Sequence, residues 1–108
     1  MFELPVFPES AKFDYPVTLT GREYLLRFRW FARSATWELD VMLPDETPLA
    51  MGRRLTTAWN VLHRDKDARL PAGYIVPIGV DGELRDIETK ADLGSVVKIL
   101  YYEPGEIA

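Results

Sequence analysis

The sequence contains no cysteine and a single histidine, His63. The first absence excludes disulfides, thiolate metal sites and a cysteine nucleophile, and it leaves the redox compartment open. The second excludes a histidine cage around a metal within one chain. No run approaches the ~18 apolar residues that a membrane helix needs. Met1-Phe2-Glu3-Leu4-Pro5 has neither the basic nor the apolar region of a secretory signal, so the chain is expected to be soluble where it is made. Basic charge is also short: 13 Lys and Arg stand against 17 Asp and Glu, a net charge of −4. That balance advertises neither a nucleic-acid nor an anionic-membrane surface, and neither partner is expected. The three serines, Ser10, Ser34 and Ser95, lie outside any G-x-S-x-G, and no glycine loop suited to phosphate occurs.

What is present is the balance of one folded domain: 108 residues, 47% hydrophobic and 28% charged. The dominant signal is a period of two, the mark of half-buried strands. Phe13, Tyr15, Val17 and Leu19 occupy odd positions, and Tyr24, Leu26, Phe28 and Trp30 even ones. Trp37, Leu39, Val41 and Leu43 then return to odd positions. With Gly21-Arg22 as a type II′ turn, Thr20 pairs with Glu23, and Leu19 faces Tyr24, Val17 faces Leu26, Tyr15 faces Phe28 and Phe13 faces Trp30. With Ala32 paired to Trp37 across a loop at 33–36, Trp30 faces Leu39, Phe28 faces Val41 and Leu26 faces Leu43. Both registers hold the apolar stripes on one side, and a slip of one residue would destroy the match. The expectation is a three-stranded meander over residues 12–43. Its other face would carry a ladder of Asp14, Arg29 and Asp40, a solvated charge row in which each pair contributes ~0.2–1 kcal/mol.

Beyond Leu43 the pattern predicts a turn at 44–48 and a fourth strand within 49–57, bulged or closely approached at Gly52. Trp59, Leu62 and His63 allow a turn or two of helix. Asp81-Gly82 suits a type I′ hairpin between 74–80 and 84–87. Ser95 to Tyr102 is apolar on both faces, as in a strand that is central or covered. The fold class that follows is all-β: one antiparallel barrel or sandwich of about six to eight strands, beginning with the meander. The β-domain spans 10–103, preceded by an extended arm, 1–9, whose Pro5 and Pro8 suggest a need for a partner, and followed by a tail, 104–108.

Candidate chemistry is thin. His63, Asp65 and Asp67 lie close in sequence but match neither a transition-metal set nor the calcium-loop spacing. Seventeen acidic residues always supply carboxylate pairs, so a catalytic dyad has no support from their number. No enzyme, metal or cofactor is expected. The candidate interface residues are Trp59, Arg53, Arg54, Phe31, Tyr101 and Tyr102, because Trp, Tyr and Arg dominate binding hot spots. For Trp59 the first reading is a cap on one end of the barrel or sandwich, and the interface anchor is the second.

The succession Leu19-Thr20-Gly21, Tyr24, Leu26-Arg27-Phe28-Arg29-Trp30 and Trp37-Glu38-Leu39-Asp40-Val41 resembles the phage baseplate plug family typified by cyanophage Pam3. Gly52-Arg53-Arg54-Leu55, Leu70-Pro71-Ala72-Gly73, Asp92-Leu93-Gly94 and Leu100-Tyr101-Tyr102 extend the likeness over roughly residues 10 to 103. In that family an asparagine often follows the aromatic residue of the second strand, where this chain has Phe31. The resemblance implies a non-catalytic virion component of a tail baseplate, made in the host bacterium's cytoplasm. It further implies packing against hub, tube or wedge proteins, in several copies that share their symmetry. The alternative from the residues alone is a small β-barrel module for a ligand or carbohydrate. An assembly protein should expose separate apolar patches, a ligand binder one concave aromatic pocket.

Overall fold

In a computed structural model that describes residues 1–106, the chain forms seven strands in two antiparallel sheets. In chain order they are β1 (Phe2–Leu4), β2 (Lys12–Leu19), β3 (Arg22–Phe31), β4 (Thr36–Met42), β5 (Pro48–Arg54), β6 (Tyr74–Gly79) and β7 (Val97–Tyr102). One sheet runs β2-β3-β4-β5, the other β1-β7-β6. The sheets do not close into a barrel. One core lies between them: Leu19, Leu26, Phe28, Trp37, Leu39 and Val41 from the larger sheet meet Leu4, Ile75, Ile99 and Tyr101 from the smaller. Phe13 stacks on Phe28 with ring centroids 4.8 Å apart, and Trp30 lies beside Trp37 at 5.7 Å.

The alternating stripes do form β2, β3 and β4, but both hairpins are shifted by two residues from the expected pairing. Leu19 pairs with Arg22, Val17 with Tyr24, Tyr15 with Leu26 and Phe13 with Phe28. In the next hairpin Trp30 faces Trp37, Phe28 faces Leu39 and Leu26 faces Val41. A shift of two keeps every side chain on its own face, so the core stripe survives. The first turn is Thr20-Gly21, with φ of 49° and 77°; two positive values are those of a type I′ turn, not the II′ turn at Gly21-Arg22. Thr20 is held in this unfavourable region because its hydroxyl bonds the Tyr101 hydroxyl and donates to Glu103 at 2.8 Å.

Gly52 does sit in a bulge. Leu39 pairs with Arg53 and Val41 with Ala50, so Met51 and Gly52 together oppose Asp40, and Gly52 has φ 68°.

Three expectations for the remaining chain are corrected. The chain begins not with the meander but with β1, which pairs with β7 and buries Leu4, so the N-terminal arm is tied into its own domain. Residues 84–87 form no strand; Asp81-Gly82 turns the chain, and β6 pairs instead with β7. The 58–63 segment is a series of turns, not helix. It lies along the free edge of β6, where the Ala58 and Val61 amides donate to the carbonyls of Pro77 and Ile75, each at 2.8 Å. An edge that would otherwise invite strand addition is thereby covered. Of the tail, Pro104–Glu106 is a 3-10 turn, and residues 107–108 lie outside the described residues.

Candidate functional site

The corrected register dissolves the expected charge ladder. Asp14 and Asp40 both oppose Arg27, not Arg29. Arg27 bonds Asp14 at 3.1 Å and Glu46 at 3.0 Å, while Arg29 reaches diagonally to Asp40 at 3.1 Å. Asp40 is not solvated either, being 1% exposed. Its carboxylate accepts the Gly52 amide at 2.7 Å, which fixes the bulge, and Arg29 supplies the countercharge. This cluster is a structural clamp between β3, β4 and β5.

The six candidate interface residues fall into three environments. Tyr101 is core: it is 0% exposed, and its hydroxyl meets Thr20 and accepts the Gly73 amide at 2.9 Å. A Cβ on Gly73 would stand 2.6 Å from that hydroxyl and 2.0 Å from the Tyr102 carbonyl oxygen, which explains a glycine there. Phe31 is exposed on the outer face of the larger sheet, with the Arg29 guanidinium 5.3 Å above its ring. The other four border the 55–73 loop or the smaller sheet.

That loop runs nineteen residues between β5 and β6 without regular structure, a length that in compact domains is usually functional. It is pinned by Arg53, which grips Asp65 with two bonds of 2.9 and 2.6 Å. This bond to Arg53 holds the Asp65 carboxyl below its ordinary range. The Asn60 side-chain oxygen accepts the amides of Leu62 and Ile75, tying the loop to β6. Trp59, 59% exposed, leans on His63 with ring centroids 5.6 Å apart. The two rings form a ridge with a cleft on either side. One cleft, of about 670 Å³, extends to Tyr74 and Val76; the other, of about 270 Å³, is bordered by Arg54, Val61 and Arg64. Trp59 thus stands out from the surface and caps nothing.

Behind the first cleft lies a face that sequence reasoning named only in part. Ile75, Ile99 and Tyr101 point into the core, so their neighbours Tyr74, Val76 and Ile78 on β6 and Lys98, Leu100 and Tyr102 on β7 line the outside of the smaller sheet. Five of those six are uncharged and largely apolar, where an outer sheet face normally alternates to polar; Tyr74 is exposed, Val76, Ile78 and Tyr102 are half-buried and Leu100 is buried. The two-sided character of residues 95–102 was the visible signal. The 74–78 stretch carried the same signal, obscured by its assignment to a local hairpin.

Asp65 faces Arg53, and Asp67 faces Arg69 at 2.7 Å, whose side chain draws the Asp67 carboxyl down to about 2. Among the described residues no three His, Cys, Asp or Glu side chains gather as metal ligands would. No helix among them is long and apolar enough to cross a membrane.

Against known proteins, residues 1–104 match the family described as cyanophage baseplate Pam3 plug gp18. Among curated proteins no sequence matches the chain. With nearly its whole length covered, the chain belongs to this family of phage baseplate plug proteins.

Proposed function

We propose, from its place in the baseplate plug family, that this chain is a non-catalytic packing subunit held among the hub, tube or wedge proteins of a phage tail. The observation that supports the reading is the apolar outer face of β6 and β7, with Tyr74 exposed on it, beside the Trp59 ridge. Apolar surface left exposed at Tyr74 and half-exposed at Val76, Ile78 and Tyr102 is ordinary at an interface. Aromatic anchors beside arginine match the composition of binding hot spots. The covered edge of β6, the three-residue edge strand β1 and the proline-bearing edge strands β2 and β5 disfavour partner strand addition, so face packing is the mode the fold favours.

The test is imaging of purified tails, with mass spectrometry of their components. The proposal expects this subunit at the baseplate in fixed proportion to its neighbours. Tails that are complete and infectious without it would overturn the reading.

A further inference from the structure

The second cleft belongs to a stretch whose charge is opposite to that of the whole chain. Residues 53–64 hold three arginines and no carboxylate, in a protein of net charge −4. Arg53 is committed to Asp65, but Arg54 and Arg64 make no ion pair among the described residues. The opposite composition occurs at 79–92, where five carboxylates stand against Arg85 and Lys90. Asp81 is taken by Arg85 at 2.8 Å and Asp92 by the amides of Glu88 and Thr89, which leaves Glu83, Asp86 and Glu88 exposed and without ion pairs among the described residues. In their midst Leu84 is 75% exposed, more than any other large apolar side chain described. One loop therefore presents an apolar side chain ringed by carboxylates. One cleft presents Trp59 and Val61 between two guanidinium groups.

The loop does not line its own cleft. The Thr57 hydroxyl donates to the Arg85 carbonyl at 2.6 Å and fastens the loop beside the cleft, with Arg54 and Asp86 bordering a common groove yet forming no ion pair. We infer that the occupant of the Trp59–Arg54–Arg64 cleft is the Leu84 loop of a second copy of this chain. Because the two patches lie side by side, two copies related by a two-fold axis exchange loops reciprocally, and the same contact forms twice. The apolar outer face of β6 and β7 remains free for a different protein. The inference extends the assembly reading by naming one partner and does not depend on which other baseplate protein meets the sheet.

The experiment is sedimentation of the purified full chain at about 0.1 M and about 1 M salt, between which the Debye length falls from about 10 Å to about 3 Å. A dimer at low salt that weakens at high salt is expected. R54E/R64E and E83R/E88R should each dissociate at least tenfold more readily, with thermal unfolding curves close to wild type because all four positions are exposed. An equimolar mixture of the two variants should dimerise again, since in the mixed dimer the reversed loop meets the reversed cleft and the native loop meets the native cleft. A wild-type chain that stays monomeric at low salt would overturn the inference, as would a dimer that neither variant weakens or a mixture that stays monomeric. Loss of the variants from tails without any effect on self-association would also overturn it and would assign the cleft to another baseplate protein. A monomer that still enters tails would leave the baseplate reading intact while this inference fails.

Discussion

Replacing Tyr101 by Phe removes one oxygen from the centre of the molecule. That oxygen links three pieces of chain: β7 itself, the Thr20 turn of the other sheet and the Gly73 amide that ends the long loop. Thr20 keeps a second partner in Glu103, and its side chain reaches solvent, so its loss is small. The Gly73 amide is buried and has no replacement acceptor, and an unsatisfied buried donor costs about 1–3 kcal/mol. The ring stays, so no large cavity term is added. The expected destabilisation is about 2 kcal/mol, and at about 4–5 °C per kcal/mol for a domain of this size the midpoint should fall by about 8–10 °C. Thermal unfolding by circular dichroism with a parallel urea titration measures both. Gly73→Ala, which forces a methyl onto the same hydroxyl, should cost at least as much. A Tyr101→Phe protein within about 0.5 kcal/mol of wild type that failed to enter tails would refute the reasoning, because it would return Tyr101 to an interface role.

Three other outcomes follow from the same geometry. Asp40→Ala leaves the buried Gly52 amide without its acceptor and the partly solvated Arg29 guanidinium without its partner and should cost about 1–3 kcal/mol, whereas Asp40→Asn, which keeps an acceptor for Gly52, should cost clearly less in urea unfolding. Asp65→Asn breaks the grip of Arg53, whose side chain is 40% exposed and hence partly screened, so the cost at pH 7 should be about 1 kcal/mol. The Asp65 carboxyl is held low in the folded state, so its contribution is complete above the ordinary carboxylate range and fades as pH falls through the lowered value. The gap between wild type and Asp65→Asn in urea titrations should therefore be constant from pH 7 down to about 5 and shrink below about 4, and a gap that widened in acid would contradict the assignment. Ala35, at φ 53° in the second hairpin, should gain about 0.5–1 kcal/mol on replacement by glycine, read as a higher thermal midpoint.

The strands that were legible are those whose signal is local. The stripes of β2, β3 and β4 follow from side-chain alternation alone, and the bulge follows from a glycine inside an apolar run. Register was less legible, because it turns on whether Thr20 or Arg22 joins Gly21 in the turn. A threonine at positive φ is improbable until its hydroxyl is seen bound to Tyr101 and Glu103, partners more than eighty residues away. The partner of β6 was hidden for a related reason: Asp81-Gly82 is a true turn signal, but Leu84 to Ile87 offers little to pair, and β7 offers a full apolar strand. The N-terminal arm read as free because three residues of β1 are too short to show a period, yet Leu4 is fully buried. For the candidate site, Trp59 and Arg54 were legible as unaccounted aromatic and basic residues. Tyr101 was misplaced because the tyrosine doublet gives no clue to which ring points inward until β7 is flanked by β1 and β6.

The most direct test of the packing role is hydroxyl-radical footprinting of Tyr74 and Tyr102 in the free subunit and in purified tails. The free subunit should be labelled at Tyr74, as its exposure dictates. In assembled tails both tyrosines should be strongly protected, while Met51, exposed on the larger sheet, changes little. Equal labelling of Tyr74 in both states would contradict the claim that this face is where the subunit packs.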